Sequence, residues 1–151
     1  MKDWKWIGKH IVVIAAALVL GAVIGEMPLF KQATVGTPKL TAAGLVTFMG
    51  FAGALCFVWL LGYRAALQLQ RSGGKASFLG FILVPLTALI VVSSAYNVLL
   101  LILRLFLSPA MQDIYNWLFV LGITASAIWL VAVLYKHADS VMDLFPKKAP
   151  E

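Results

Sequence analysis

The stretch from Phe78 to Leu107, FLGFILVPLTALIVVSSAYNVLLLILRLFL, constrains this chain more than any other. Arg104 is its only charged residue. At 1.5 Å per residue a helix of this length exceeds the roughly 30 Å hydrocarbon core of a bilayer, so the run reads as a transmembrane helix. Pro85 interrupts it near the start, and Ser93, Ser94, Tyr96 and Asn97 interrupt it past the middle. The rest of the chain agrees with a lipid solvent. Of the 151 residues, 62% are hydrophobic and only 12% charged, against about 25% charged in a typical soluble domain. A soluble chain of this size has too little polar surface to cover so much apolar area.

Three further apolar runs accompany it. The expected architecture is all-α: a polytopic membrane protein, a four-helix transmembrane bundle forming a single integral membrane domain. Its spans cover about 7–25, 40–63, 78–107 and 115–135, with a short tail over 136–151. Lys2, Lys5 and Lys9 precede the first run, as in a signal peptide. No small-x-small cleavage site follows, so the run reads as a first span with Trp4 and Trp6 at its interface. Residues 26–40 contain Pro28, Gly36 and Pro38, which are expected to break regular helix, and Thr37-Pro38 offers a cap and first residue for the second span. Gly73-Gly74 stops that helix, Ser77 caps the third, and Pro85 bends it by removing a hydrogen bond from the Phe81 carbonyl. Ser108-Pro109 ends the third span and begins the fourth, and Pro146 terminates the tail. Trp59 and Tyr63 mark one interface of the second span, and Trp117, Trp129 and Tyr135 those of the fourth.

Four spans put both termini on one side. Lys2, Lys5, Lys9, Arg64, Arg71, Lys75, Lys136, Lys147 and Lys148 fall on that side, nine of the 12 basic residues; Lys31, Lys39 and Arg104 fall on the other. The positive-inside rule then assigns both termini to the cytoplasm, and the composition fits a bacterial inner membrane. The net charge of +6 is concentrated at the ends of the apolar runs. It therefore suits anionic lipid headgroups, not nucleic acid.

Small residues recur at helical spacing. Ala17, Gly21 and Gly25 share a face of the first span; Ala43, Thr47, Gly50 and Ala54 share a face of the second. Such faces let helix backbones approach closely, although Gly and Ala are also common in membrane helices for no special reason. Ser93, Tyr96, Asn97 and Arg104 form an expected polar face of the third span. They line a ligand, ion or proton path, or they hydrogen-bond a neighbouring helix at about 0.6–2 kcal/mol per contact; the second role is the commoner one. Asn97 needs a partner from another helix, and Thr47, Thr124 and Ser126 are the candidates. Arg104 lies 26 residues beyond Phe78, roughly 39 Å, which reaches the headgroups, where Glu26 or Asp113 is available for pairing.

His10 and His137 both fall at the cytoplasmic boundary. Two axial imidazoles on different helices suit a b-type haem, which makes a haem- or quinone-binding redox anchor one reading. Interfacial histidines without a cofactor are the simpler one, and no cofactor is expected. No metal site is expected either, since only Asp139 lies near the histidines and the pair has no cysteine beside it. The single cysteine, Cys56, allows no internal disulfide or thiol relay and reads as a small packing residue.

Paired intramembrane acids, GxSxG, phosphate-binding loops and HExxH are all missing, so an enzyme is not expected. The leading function is a small structural or accessory subunit that packs through its helix faces. Its partners are membrane lipid and either copies of itself as a homo-oligomer or other membrane subunits of a larger complex. A redox anchor and an oligomeric pore or carrier are the alternatives.

Overall fold

A computed structural model describes residues 5–36, 39–73 and 77–138. Lys2, Trp4, the Thr37-Pro38 pair, Gly74, Lys75 and the tail from Asp139 through Glu151, with Pro146, Lys147 and Lys148, lie outside the described residues. Four long helices dominate: α1 (Lys5–Glu26), α3 (Ala42–Ser72), α4 (Ser77–Leu103) and α5 (Pro109–Lys136). Each is long and apolar enough to cross a membrane. Between α1 and α3 lie a short helix α2 (Pro28–Gln32) and a two-stranded antiparallel pair, β1 (Thr34–Val35) and β2 (Leu40–Thr41), with Thr34 opposite Thr41.

Local chemistry explains the boundaries. Pro28 starts α2 instead of breaking it, because the first helical residue needs no N–H donor. The cap of α3 is Thr41, whose Oγ1 accepts from the Gly44 N–H at 3.1 Å. It replaces the expected Thr37, because residues 40–41 are engaged in the strand pair. Helix α3 ends at Ser72, and Gly73 takes φ 69°, which an L side chain resists. Helix α4 begins at Ser77 itself and stops at Leu103, four residues short of the expected end, as residues 104–106 form a turn. Helix α5 begins at Pro109, six residues before the expected span. Ser108 caps it, accepting from the Met111 N–H at 3.4 Å.

Helix α1 packs on α3, α3 on α4, and α4 on α5, and no other pair of long helices forms a comparable interface. The helices therefore stand as an open row of neighbours. Burial is confined to the seams: Ala54, Ala66, Pro85, Thr87 and Tyr115 are covered, while Val12, Leu20, Ile114, Leu118 and Val131 are exposed. Such exposure is costly in water and favourable in lipid.

Candidate functional site

The seam between α1 and α3 is built from the two small-residue faces. A Cβ placed on Gly21 would lie 2.9 Å from the Gly50 Cα, and one on Gly50 would lie 2.8 Å from the Ala17 carbonyl oxygen. A Cβ on Gly25 would strike the Thr47 hydroxyl and come within 3.5 Å of the Ala43 carbonyl oxygen. The Thr47 hydroxyl donates to the Gly21 carbonyl at 3.4 Å. Ala54 is buried farther along α3. The two faces thus meet each other within one chain, which leaves neither free for a second protein.

The seam between α3 and α4 uses residues the sequence reading passed over. A Cβ on Gly62 would strike the buried Thr87, and one on Gly80 would lie 2.6 Å from the Ala66 carbonyl oxygen. The signal was present as Gly62-x3-Ala66, a small-xxx-small step that continues the helix beyond Ala54.

Of the four residues of the expected polar face Tyr96 departs from the others, since it is adjacent to Asn97 and successive helix positions differ by 100°. Tyr96 turns to α5, where its hydroxyl donates to Asn116 Oδ1 at 2.9 Å and its carbonyl accepts from the Tyr115 hydroxyl at 2.6 Å. Tyr96, Tyr115 and Phe119 pack ring on ring, with centroids 4.8–5.4 Å apart. Asn97 is exposed and meets no hydrogen-bond partner among the described residues. The expected donors are engaged elsewhere: Thr47 with Gly21, Ser126 with the carbonyl of Gly122 in its own helix, while Thr124 lies exposed on the outer face of α5. Arg104 is exposed as well; Glu26 pairs with Lys31 instead of Arg104.

Asn97 belongs to a longer stripe. Leu79, Leu83, Leu86, Ile90, Ser93, Asn97, Leu100 and Arg104 alternate steps of four and three. That is a heptad seam, the pattern of a left-handed helix pair. Leu79, Leu86, Ile90, Asn97 and Arg104 are exposed and the other three half-buried. The remaining faces of α4 are occupied: Gly80, Thr87, Ala88 and Val98 are buried on its α3 side, and Phe81 and Tyr96 meet α5.

The histidines are held apart. His10 Nδ1 lies 2.8 Å from the Trp6 carbonyl and its ring packs edge-on against Trp6 and against Phe57 of α3. His137 Nδ1 lies 3.0 Å from the Val133 carbonyl and its ring stacks on Phe81 of α4. A carbonyl only accepts, so each Nδ1 carries a proton, and neither Nε2 meets a hydrogen-bond partner among the described residues. The two rings share no neighbour, and α1 and α5 form no interface. Among the described residues no three His, Cys, Asp or Glu gather as a metal site.

Two of the cavities among the described residues border α3. An apolar groove of about 480 Å³ lies between α3 and α4, lined by Ala52, Cys56, Trp59, Val91 and Val98 among others. Cys56 is exposed there, not packed in a seam as expected. A second, of about 480 Å³, is lined by Trp6, Arg64, Leu67, Gln68 and Arg71. Comparison with known protein families, with curated proteins and with solved structures finds nothing that matches this chain.

Proposed function

We propose that this chain is a small, non-enzymatic integral membrane subunit of the bacterial inner membrane, with cytoplasmic termini, that acts by lateral helix packing. The partner its surface fits best is a second copy of itself. The observation that carries this reading is the exposed heptad stripe of α4 with the unpaired Asn97 inside it. An amide left in hydrocarbon without a partner is costly. Copies inserted with the same orientation meet in parallel around a two-fold axis along the membrane normal, so each stripe residue faces its own counterpart. Asn97 then meets Asn97 at equal depth, and an amide, with donor and acceptor together, is its own complement. Leu79, Leu86 and Ile90 supply the apolar contact on one side. The Arg104 pair sits a further seven residues toward the end of the helix, about 10 Å, where both guanidiniums reach headgroups and are not forced together. A redox anchor has less support, because His10 and His137 occupy separate environments.

The test is association in the bilayer. Donor- and acceptor-labelled copies, reconstituted at decreasing protein-to-lipid ratio, are expected to show energy transfer that persists on dilution and weakens in Asn97→Leu. Transfer no greater than that of a random lipid-diluted control overturns self-association.

A further inference from the structure

The cavity between α1 and α3 has a chemistry that helix packing does not use. Arg64, Gln68 and Arg71 follow one another at steps of four and three, so one stripe of α3 presents two guanidiniums flanking an amide. Both arginines are exposed and line the same cavity, with Trp6 of α1 as its opposite wall and Leu67 beside them. The Trp6 indole N–H donates to Gln68 Oε1 at 3.0 Å. This bond ties the two helices together and fixes the amide, so its Nε2 remains a donor on a residue that lines the cavity. Every polar group offered is therefore a donor or a cation. Among the described residues the carboxylates are Glu26 and Asp113, and both lie at the opposite end of the helices. A site of this kind calls for an anion with several acceptor oxygens in tetrahedral array, which guanidinium forks match.

Its depth narrows the class. Trp6 lies just before the apolar run that begins at Ile11, and Arg64 just past the apolar body of α3. The cavity thus sits where glycerol and phosphate meet hydrocarbon, with Leu67 and the indole facing the apolar part of a ligand and the arginines its charged part. We propose that Trp6, Arg64, Gln68 and Arg71 form a binding site for the phosphate of an anionic phospholipid headgroup. This rests on the four helices lying in a membrane and not on self-association.

The protein reconstituted in phosphatidylcholine nanodiscs with a minor fraction of phosphatidylglycerol is released into native mass spectrometry, and retained phosphatidylglycerol is counted. Wild type is expected to retain it. R64Q/R71Q, which keeps two good helix formers at exposed sites, is expected to bind it on the order of tenfold or more weakly. Lys9→Gln removes an exposed charge that does not line the cavity and is expected to retain it. Trp6→Phe, with both arginines intact, is expected to weaken retention by freeing Gln68. Equal retention in wild type and R64Q/R71Q overturns the site. An equal loss in Lys9→Gln also overturns it, leaving only a general basic collar. Inorganic phosphate, added to the protein in phosphatidylcholine alone, is expected to leave thermal stability unchanged; stabilisation by it identifies a free anion as the ligand and overturns the lipid assignment.

Discussion

At the scale of single residues, Asn97 and the pair Gly21–Gly50 carry most of what can be tested. Asn97 was conspicuous in the sequence as an amide within an apolar run. Its partner was not, because the donors expected for it lie elsewhere: Thr47 donates across the seam to Gly21, Ser126 closes its bond on Gly122 four residues back in its own helix, and Thr124 sits on the outer face of α5. Asn97→Leu removes donor and acceptor together, so the monomer is expected to melt at an unchanged or slightly higher temperature. Self-association should fall about 3- to 30-fold, the equivalent of 0.6–2 kcal/mol for one interhelical polar contact, read by energy transfer in nanodiscs. The glycines respond in the opposite way. At Gly21 a side chain meets the backbone of α3, which cannot yield as a side chain can. Gly21→Leu is expected to lower the melting temperature of the monomer itself, whereas Leu20→Ala, at a site 57% exposed, should leave it nearly unchanged. Equal melting of the two variants would remove the close approach at Gly21 from consideration.

Helices obey rules that are partly written in the sequence. The number and rough position of the four apolar runs were legible, because the bilayer sets a minimum length and leaves few alternatives for a backbone that must satisfy itself. The small-residue faces of α1 and α3 were legible from spacing alone; that they face each other depends on the 26–40 connection, whose strand pair no periodicity announces. Helix ends were the least legible. Thr37-Pro38 and Thr41 are both sound caps by composition, and the choice falls to Thr41 once Leu40 has paired with Val35. The α4 stripe was legible as a heptad but was hidden by reading polar positions without the leucines between them. A contrast between two glycines tests the α3–α4 seam. Gly80→Ala drives a methyl against the Ala66 carbonyl, whereas Gly53 has open space where its Cβ would be. Gly53→Ala is therefore expected to be neutral or to stabilise α3 by up to about 1 kcal/mol through helix propensity, and Gly80→Ala to destabilise. Thermal unfolding in detergent checks both, and a destabilising Gly53→Ala would mean that this face of α3 is covered.

For the whole molecule, the open row is the property that matters. With α1 packed chiefly on α3, and α5 chiefly on α4, each chain exposes apolar surface on several sides and encloses no central core among the described residues. A protein built this way has its packing in its seams and leaves its outer faces uncovered, and the proposed interaction role rests on those faces. The same arrangement sets the two ends apart by charge. Arg64, Arg71, Lys5, Lys9 and Lys136 gather at the end where α1 begins, while Glu26, Asp113 and Arg104 mark the other. Charges near span ends that face different compartments decide insertion, and the proposed orientation puts the basic end in the cytoplasm. The parallel stripe needs all copies to point the same way, and the headgroup site needs anionic lipid beside Arg64 and Arg71. Single cysteines in a Cys56→Ala background make the test. A membrane-impermeant thiol reagent applied to intact cells is expected to label Ala33→Cys and Gln112→Cys and to spare Gly73→Cys, which should react only after the cells are opened. Labelling of Gly73→Cys from outside, with Ala33→Cys protected, would invert the orientation while keeping four spans. Labelling of both from one side would mean that α3 does not cross the membrane, and would remove the common depth on which the pairing of Asn97 with its counterpart depends.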